Sequence, residues 1–209
     1  MTKRVHIVGF KRGGTTLMQQ LFHCFKDTYV ASSNGVHFWD YEVPAEATGT
    51  VVTKFSKDAY FVDRCLEEGA QVVYMLRDPR DTLTSKFNKT GVRASDPEKL
   101  AHRINVFNES ENSWGSSVLF IYYEELVRQP DVVQATLSRW LSLEIDIPFS
   151  EGHTRMQDDT PQQALNGVRP VDTSSIGRWK DPEYREEVEE IVSLYPEMQK
   201  FIQRWYPDV

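Results

Sequence analysis

The chain has 209 residues, 40% of them apolar and 12% aromatic, enough for one compact core. Its 24 lysines and arginines against 31 aspartates and glutamates leave a net charge of −7, which argues against a protein that coats nucleic acid or an anionic membrane. Two cysteines, Cys24 and Cys65, are too few for a disulfide framework or a zinc cluster and read as buried thiols in a reducing compartment. No apolar run approaches the roughly 20 residues of a membrane span. Met1–Arg4 is followed only by the short apolar stretch Val5–Phe10, a strand rather than a signal peptide. The expectation is a soluble, cytoplasmic, single domain over 1–209, without nucleic-acid partner or membrane insertion and with its oligomeric state open.

In chain order, Val5–Gly9 predicts a short buried strand. Thr16–Phe25 predicts a helix with Leu17, Met18, Leu21, Phe22 and Phe25 on one face. Strands follow at Thr28–Ala31 and Thr50–Lys54. Ser56 is placed to cap a helix reaching Glu68, with Gly69 at its exit. Gln71–Leu76 is a nearly continuous apolar run, the pattern of a central parallel strand covered on both faces. Residues 80–88 read as helical. Ser95-Asp-Pro-Glu98 reads as a capping box with an early proline, opening a helix to about Trp114. Val118–Tyr123 is a further strand and Pro130–Leu141 a helix with Val133, Leu137, Trp140 and Leu141 inward. Residues 143–175 are polar and irregular. Asp181-Pro182 starts a last helix that Pro196 interrupts. Strands alternating with helices predict a three-layer α/β/α fold with a central parallel sheet.

The strongest local signal is Gly9-Phe-Lys-Arg-Gly-Gly-Thr-Thr16, between the first strand and its helix. Gly9 and Gly14 have Walker-loop spacing. Such a P-loop-like turn points backbone N–H groups inward, next to a helix N-terminus, and Thr15 and Thr16 add hydroxyl donors. The lysine of a nucleoside-triphosphate loop is replaced by Thr15, and the positive charge lies earlier, at Lys11 and Arg12. A cradle for a 5′-phosphate remains. A second cluster, Arg77-Asp-Pro-Arg-Asp-Thr-Leu-Thr-Ser85, follows the central strand. Arg77 falls at that strand's carboxyl end, where α/β folds bind ligands, and Ser85 two turns on is placed to grip the same anion. The competing reading is an Arg77 ion pair with Asp78 or Asp81.

With these elements the chain resembles the sulfotransferase family that uses 3′-phosphoadenosine 5′-phosphosulfate (PAPS). Lys11-Arg12-Gly13-Gly14-Thr15-Thr16 is similar to that family's 5′-phosphosulfate loop, commonly Pro-Arg/Lys-Ser-Gly-Thr-Thr, with Lys11 and Gly13 as departures. Arg77 through Ser85 resembles its 3′-phosphate element, Tyr123-Glu-Glu-Leu-Val its Tyr-Glu-Asp-Leu-Val stretch, and Ser175-Ile-Gly-Arg-Trp-Lys180 a Gly-Arg-Trp element of bacterial members. The four occur in the family's order. The resemblance implies a nucleotide-kinase-related fold, PAPS as donor, 3′-phosphoadenosine 5′-phosphate (PAP) as product and no catalytic metal. It implies that Arg12 lies near the transferred group and that Gly14, Thr15 and Thr16 hold the 5′-phosphate. Arg77 and Ser85 would hold the 3′-phosphate, Tyr123 would approach the adenine, and Arg178 would return to the 3′-phosphate side with Trp179 beneath it.

Sulfuryl transfer is an in-line displacement in which cations and N–H donors stabilise developing charge, and an alcohol acceptor needs a base. Many cytosolic members supply a histidine from a Lys-Thr-His segment; the matching stretch is Lys54-Phe-Ser56, with serine in the histidine's place. Asn34-Gly-Val-His-Phe-Trp-Asp40 resembles the Lys-Glu-Val-His-Phe-Phe-Asp stretch of heparan-modifying members, with Gly35 at the glutamate and His37 retained. Histidine is the side chain whose unperturbed charge change falls near neutral pH, so His37 is the candidate base, followed by Asp40 and Glu42. Lys54 is the candidate sulfuryl contact, whereas His6 reads as structural. Phe38, Trp39, Tyr41, Phe87 and Phe107 are candidate aromatic walls for a small-molecule or carbohydrate acceptor. Two other readings remain: a P-loop small-molecule or nucleotide kinase, against which Thr15 counts, and a non-catalytic nucleotide-binding module, motivated by Gly13, Gly35 and Ser56.

The acidic total is unevenly placed. Residues 1–26 carry +5 and residues 77–93 carry +3, so the rest of the chain carries −15. Each basic cluster accompanies one phosphate-binding element, which favours a small, highly charged nucleotide in a local pocket.

Overall fold

The computed structural model describes residues 2–32, 35–85, 95–156 and 170–207. Five parallel strands, β1 (Lys3–Gly9), β2 (Thr28–Val30), β3 (Thr50–Lys54), β4 (Gln71–Leu76) and β5 (Val118–Tyr122), form one sheet in the order β2-β3-β1-β4-β5. Val5 pairs with both Val52 and Gln71, and Gly9 with Met75. After β1 the chain first builds β2 and β3 on one side, then returns to build β4 and β5 on the other. The crevice at the carboxyl end of β1 is therefore the topological switch point, where open α/β sheets hold ligands.

Strand alternation divides the apolar side chains between two layers. Val5, Ile7, Val73 and Met75 face α1 (Thr15–Leu21) and α6 (Pro130–Leu141), joined by Met18, Leu137 and Leu141. Val8, Phe10, Val72, Tyr74 and Leu76 face the opposite layer. That layer is built by α2 (Val62–Glu67), α4 (Pro97–Ser110), α7 (Arg185–Leu194) and α8 (Pro196–Trp205). Two short helices complete the elements that flank the site, α3 (Pro79–Thr84) and α5 (Tyr123–Arg128). The three-layer α/β/α arrangement matches the expectation from the strand patterns.

Several boundaries differ for identifiable reasons. The helix expected from Ser56 to Glu68 is a 3-10 segment, Ser56–Tyr60, followed by α2, with Phe61 at φ −134° between them. Ser56 makes no capping bond. The helix after residue 95 is capped by Asp96, whose carboxylate accepts from the Lys99 N–H, with Pro97 at the first turn; Ser95 is not the cap. Pro196 opens α8 rather than merely breaking its predecessor. The helix predicted over 80–88 starts at Pro79 and ends at Thr84, where Ser85 turns extended at φ −71° and ψ 123°; residues 86–88 lie outside the described residues.

Phe38 and Phe107, expected as acceptor walls, are both 0% exposed. Phe107 is enclosed by Phe10, Tyr74, Trp114, Phe120, Phe201 and Trp205 at centroid distances of 5.1 to 6.3 Å. The helix α8 that brings Phe201 and Trp205 there is distant in sequence, so local pattern alone misassigned Phe107. Phe87 lies outside the described residues. Cys24 and Cys65 are buried free thiols, with burial raising their pKa values to about 11 and about 12.

Candidate active site

The loop from Gly9 to Thr16 fills the turn between β1 and α1. Gly14 occupies the cap position at φ +87°, and a Cβ there would lie 2.5 Å from Cδ2 of Tyr123. Only glycine fits both demands. Gly13 donates its N–H to the Phe10 carbonyl at 2.9 Å, and a Cβ would stand 2.8 Å from that oxygen. This is a steric reason for glycine where the resembled loop has serine. Arg12 takes φ +65°, a costly conformation for a residue with a side chain. It is held there by Arg77, whose Nη1 donates to the Arg12 carbonyl at 2.7 Å. Thr15 is buried and Thr16 half-buried, while Lys11 is exposed.

Arg77 projects from the end of β4 and is only 6% exposed. Its Nη2 donates to the Ser175 carbonyl at 2.8 Å and its guanidinium lies 4.4 Å over the Tyr123 ring. Tyr123, packed against Gly14, exchanges a hydrogen bond with Ser175 Oγ at 2.7 Å. Among the described residues Arg77 has no carboxylate ion pair, and its buried Nε has no partner. Asp78 instead pairs with Arg80, and Asp81 accepts the backbone N–H groups of Gly177 and Trp179. Arg12 donates Nε–H to Ser85 Oγ at 2.8 Å, so Arg12, Arg77 and Ser85 meet in one cluster. Burial, and then the charge of Arg77, lowers the Arg12 pKa.

Positive charge continues around the loop. Although Lys11 is exposed, partial desolvation by the neighbouring protein, followed by the charges of Lys99, Arg103 and Arg12, lowers its pKa. Arg103 is 8% exposed and donates to the Gly9 carbonyl at 3.1 Å. Sequence pattern does not single it out, because it reads as one helix-face charge among many. Arg178 donates to the Tyr184 hydroxyl at 3.1 Å, so it is not drawn into the Arg77–Ser85 cluster. Trp179 lies under Arg80, 4.1 Å from guanidinium to ring, rather than beneath Arg178.

On the β3 side, His37 is half-exposed and its Nδ1 contacts Asp58 Oδ1 at 2.5 Å. Trp39 stacks on the imidazole at 4.5 Å, and Phe55 and Phe61 meet it edge-on. His6, 0% exposed, joins Asp58 Oδ2 at 3.0 Å and Thr53 Oγ1 at 2.8 Å, as a structural histidine would. Asp58, Phe55 and Phe61 were not anticipated. Lys54 ends β3; burial lowers its pKa to about 8, and Nζ has no hydrogen-bond partner among the described residues. Asp40 and Glu42 are exposed.

This geometry defines an α/β protein with a glycine-rich loop and a cluster of buried and half-buried arginines at the sheet's switch point. The chain matches the sulfotransferase domain family over residues 2–206, and it belongs to that family. Human sulfotransferase 4A1 is 24% identical over 208 residues, covering 85% of this chain and 73% of that protein. Among solved structures, the sulfotransferase domain from the curacin biosynthetic pathway matches with TM-score 0.64 and 13% identity over 93% of this chain and 97% of its own. The mouse sulfotransferase SULT7A1 complexed with PAP matches with TM-score 0.54 and 10% identity over 92% and 84%. Among the described residues no helix is long and apolar enough to cross a membrane.

Proposed function

We propose that residues 1–209 form one sulfotransferase domain that moves the sulfuryl group of PAPS to a hydroxyl or amine of a small-molecule or carbohydrate acceptor, leaving PAP. The observation that carries this reading is Arg77: a buried guanidinium beside the loop, without a carboxylate ion pair among the described residues and with Nε unpartnered. A buried charge needs a counter-charge, and a phosphate supplies one.

Arg77 and Ser85 serve the 3′-phosphate, while the loop from Lys11 to Thr16 serves the 5′-phosphosulfate. Arg12 and Lys54 are the cations for charge developing on the leaving phosphate and the sulfuryl oxygens. The desolvated Lys54 ammonium is suited to this because an incoming anion relieves its burial. As the acceptor oxygen bonds to sulfur, the sulfur–oxygen bond to the phosphate breaks and its electron pair leaves with PAP. The acceptor proton passes to Nε2 of His37. Tyr123 packs the nucleotide side, and Arg178 closes over it after leaving Tyr184.

Calorimetry with PAP against magnesium–ATP tests the donor class. Tight PAP binding with weak ATP binding is expected; the reverse makes the chain a kinase. Sulfate transfer from PAPS to p-nitrophenol, hexanol, benzylamine and glucose tests catalysis. Turnover that collapses in Arg12→Ala is expected, and PAP binding without turnover on any probe would leave a nucleotide-binding module instead.

A further inference from the structure

We infer that Asp58 is a positioning residue for His37: its buried carboxylate holds the imidazole with Nδ1 protonated and leaves Nε2 as the basic nitrogen. The inference rests on the reading of His37 as the base.

The hydrogen bonds that converge on Asp58 favour one arrangement. Asp58 is 0% exposed, and its Oδ2 accepts from the Phe38 N–H at 3.0 Å and from His6 Nε2 at 3.0 Å. His6 Nδ1 lies 2.8 Å from Thr53 Oγ1, a hydroxyl that also donates to the Val5 carbonyl at 3.3 Å, and Nε2 is the His6 nitrogen that faces the carboxylate and donates to it. Burial by itself would raise the Asp58 pKa, but the bonds from His6, Phe38 and His37 hold it below the ordinary value. An ionised carboxylate only accepts, so Nδ1 of His37 donates to Oδ1. The unprotonated nitrogen is then Nε2, which has no hydrogen bond among the described residues.

Two further features point to orientation rather than to core support alone. Oδ2 already meets the Phe38 N–H and His6, so Oδ1 is left to a half-exposed ring. Stacking on Trp39 at 4.5 Å and 13° fixes the plane of that ring while Asp58 fixes its rotation. A carboxylate behind an imidazole sets its tautomer and stabilises the imidazolium formed when it takes a proton. Asp58 lies two residues after Ser56, which stands where the resembled family carries its own histidine.

Asp58→Asn distinguishes the roles. The asparagine oxygen takes the Oδ2 place, where two donors converge, so its NH2 points at His37 Nδ1. That nitrogen must then accept, and the proton moves to Nε2. Long-range nitrogen–proton NMR on histidine-labelled protein, which needs no acceptor, is expected to show His37 protonated at Nδ1 in the parent and at Nε2 in the variant. An Nε2–H parent, or a tautomer unmoved by a folded variant, overturns the inference; the parent spectrum decides alone if the variant does not fold. With PAPS and whichever of the four probe acceptors turns over, Asp58→Asn should lower kcat on the order of 10²-fold or more. The KM for PAPS and the affinity for PAP should be unchanged. In a His37→Ala background Asp58→Asn should add nothing. Unchanged turnover in His37→Ala removes the base reading itself. A slow His37→Ala beside an unaffected Asp58→Asn, or an equal Asp58→Asn loss in both backgrounds, overturns only the positioning role.

Discussion

Arg12 donates Nε–H to Ser85 Oγ at 2.8 Å, tying the loop after β1 to the end of α3. Through this bond and the Arg77 bond to the Arg12 carbonyl, the loop after β1 and the segment from Arg77 to Ser85 share one framework. Two guanidiniums so close repel each other, and the phosphate proposed to bind there would offset that repulsion.

Arg77→Ala should weaken PAP binding ten- to a hundredfold, the loss expected for charged hydrogen bonds of about 1.5–3 kcal/mol. Binding of adenosine 5′-monophosphate should change much less. Calorimetry with both nucleotides checks this, and equal weakening would show that Arg77 does not serve the 3′-phosphate.

Gly14→Ala forces a side chain into a left-handed backbone and against the Tyr123 ring. A stability loss of about 1–3 kcal/mol is expected, with weaker PAP binding. Tyr123→Ala should recover part of the loss by removing the clash. A melting temperature unchanged by Gly14→Ala would contradict this packing.

Lys54 carries a pH signature. Its pKa falls from 10.5 unfolded to about 8 folded because burial penalises the ammonium. Between those values the unfolded chain binds more protons, so this residue's contribution to stability grows as pH rises from about 8 to 10.5. Lys54→Met should raise stability at pH 7 by about 1–3 kcal/mol and flatten that rise, while lowering turnover. Denaturant unfolding at several pH values measures it; a destabilised variant refutes the burial cost.

His6 acts in the acid range. Burial lowers its pKa below the ordinary 6.5, although Asp58 opposes the shift, and burial lowers that of His23 as well. Both stabilise fully above the unfolded value, and the stability is lost as pH falls through it toward the folded values. The melting temperature should therefore drop from pH 7.5 to pH 5.5. The drop should be shallower in His6→Gln. An equally steep drop in that variant would show that His6 does not enter the fold neutral.

Much of the scaffold is legible from local pattern. β4 and α6 begin and end where their apolar runs and Pro130 place them, and the loop of glycines and threonines sits between strand and helix as its spacing predicts. Motif order places Arg77 and Ser85 in one element, but the bond from Arg12 to Ser85, 73 positions away, is not legible in it. Asp58 is hidden because its partners Phe38, His37 and His6 lie 20, 21 and 52 residues away in sequence. No period marks a carboxylate that meets two histidines only after the sheet forms. Phe38 and Phe107 were misassigned for the same reason: aromatic identity does not tell a pocket wall from a core residue whose cover is supplied by a distant helix. Arg178 faces Tyr184 rather than Arg77, an orientation no spacing encodes.

Asp81 holds the backbone of Gly177 and Trp179, and Ser175 beside them bonds both Arg77 and Tyr123. These contacts span 52 to 98 positions of sequence. During synthesis the pocket therefore stays incomplete until the chain has been extended well past Trp179. A ribosome-bound chain halted before Ser175 carries the glycine loop and Arg77 yet lacks the strap that closes over them. On the proposed function, nucleotide capture is then a late event in the life of the nascent chain, and bound PAP is expected to shield the segment from Ser175 to Trp179 from proteases.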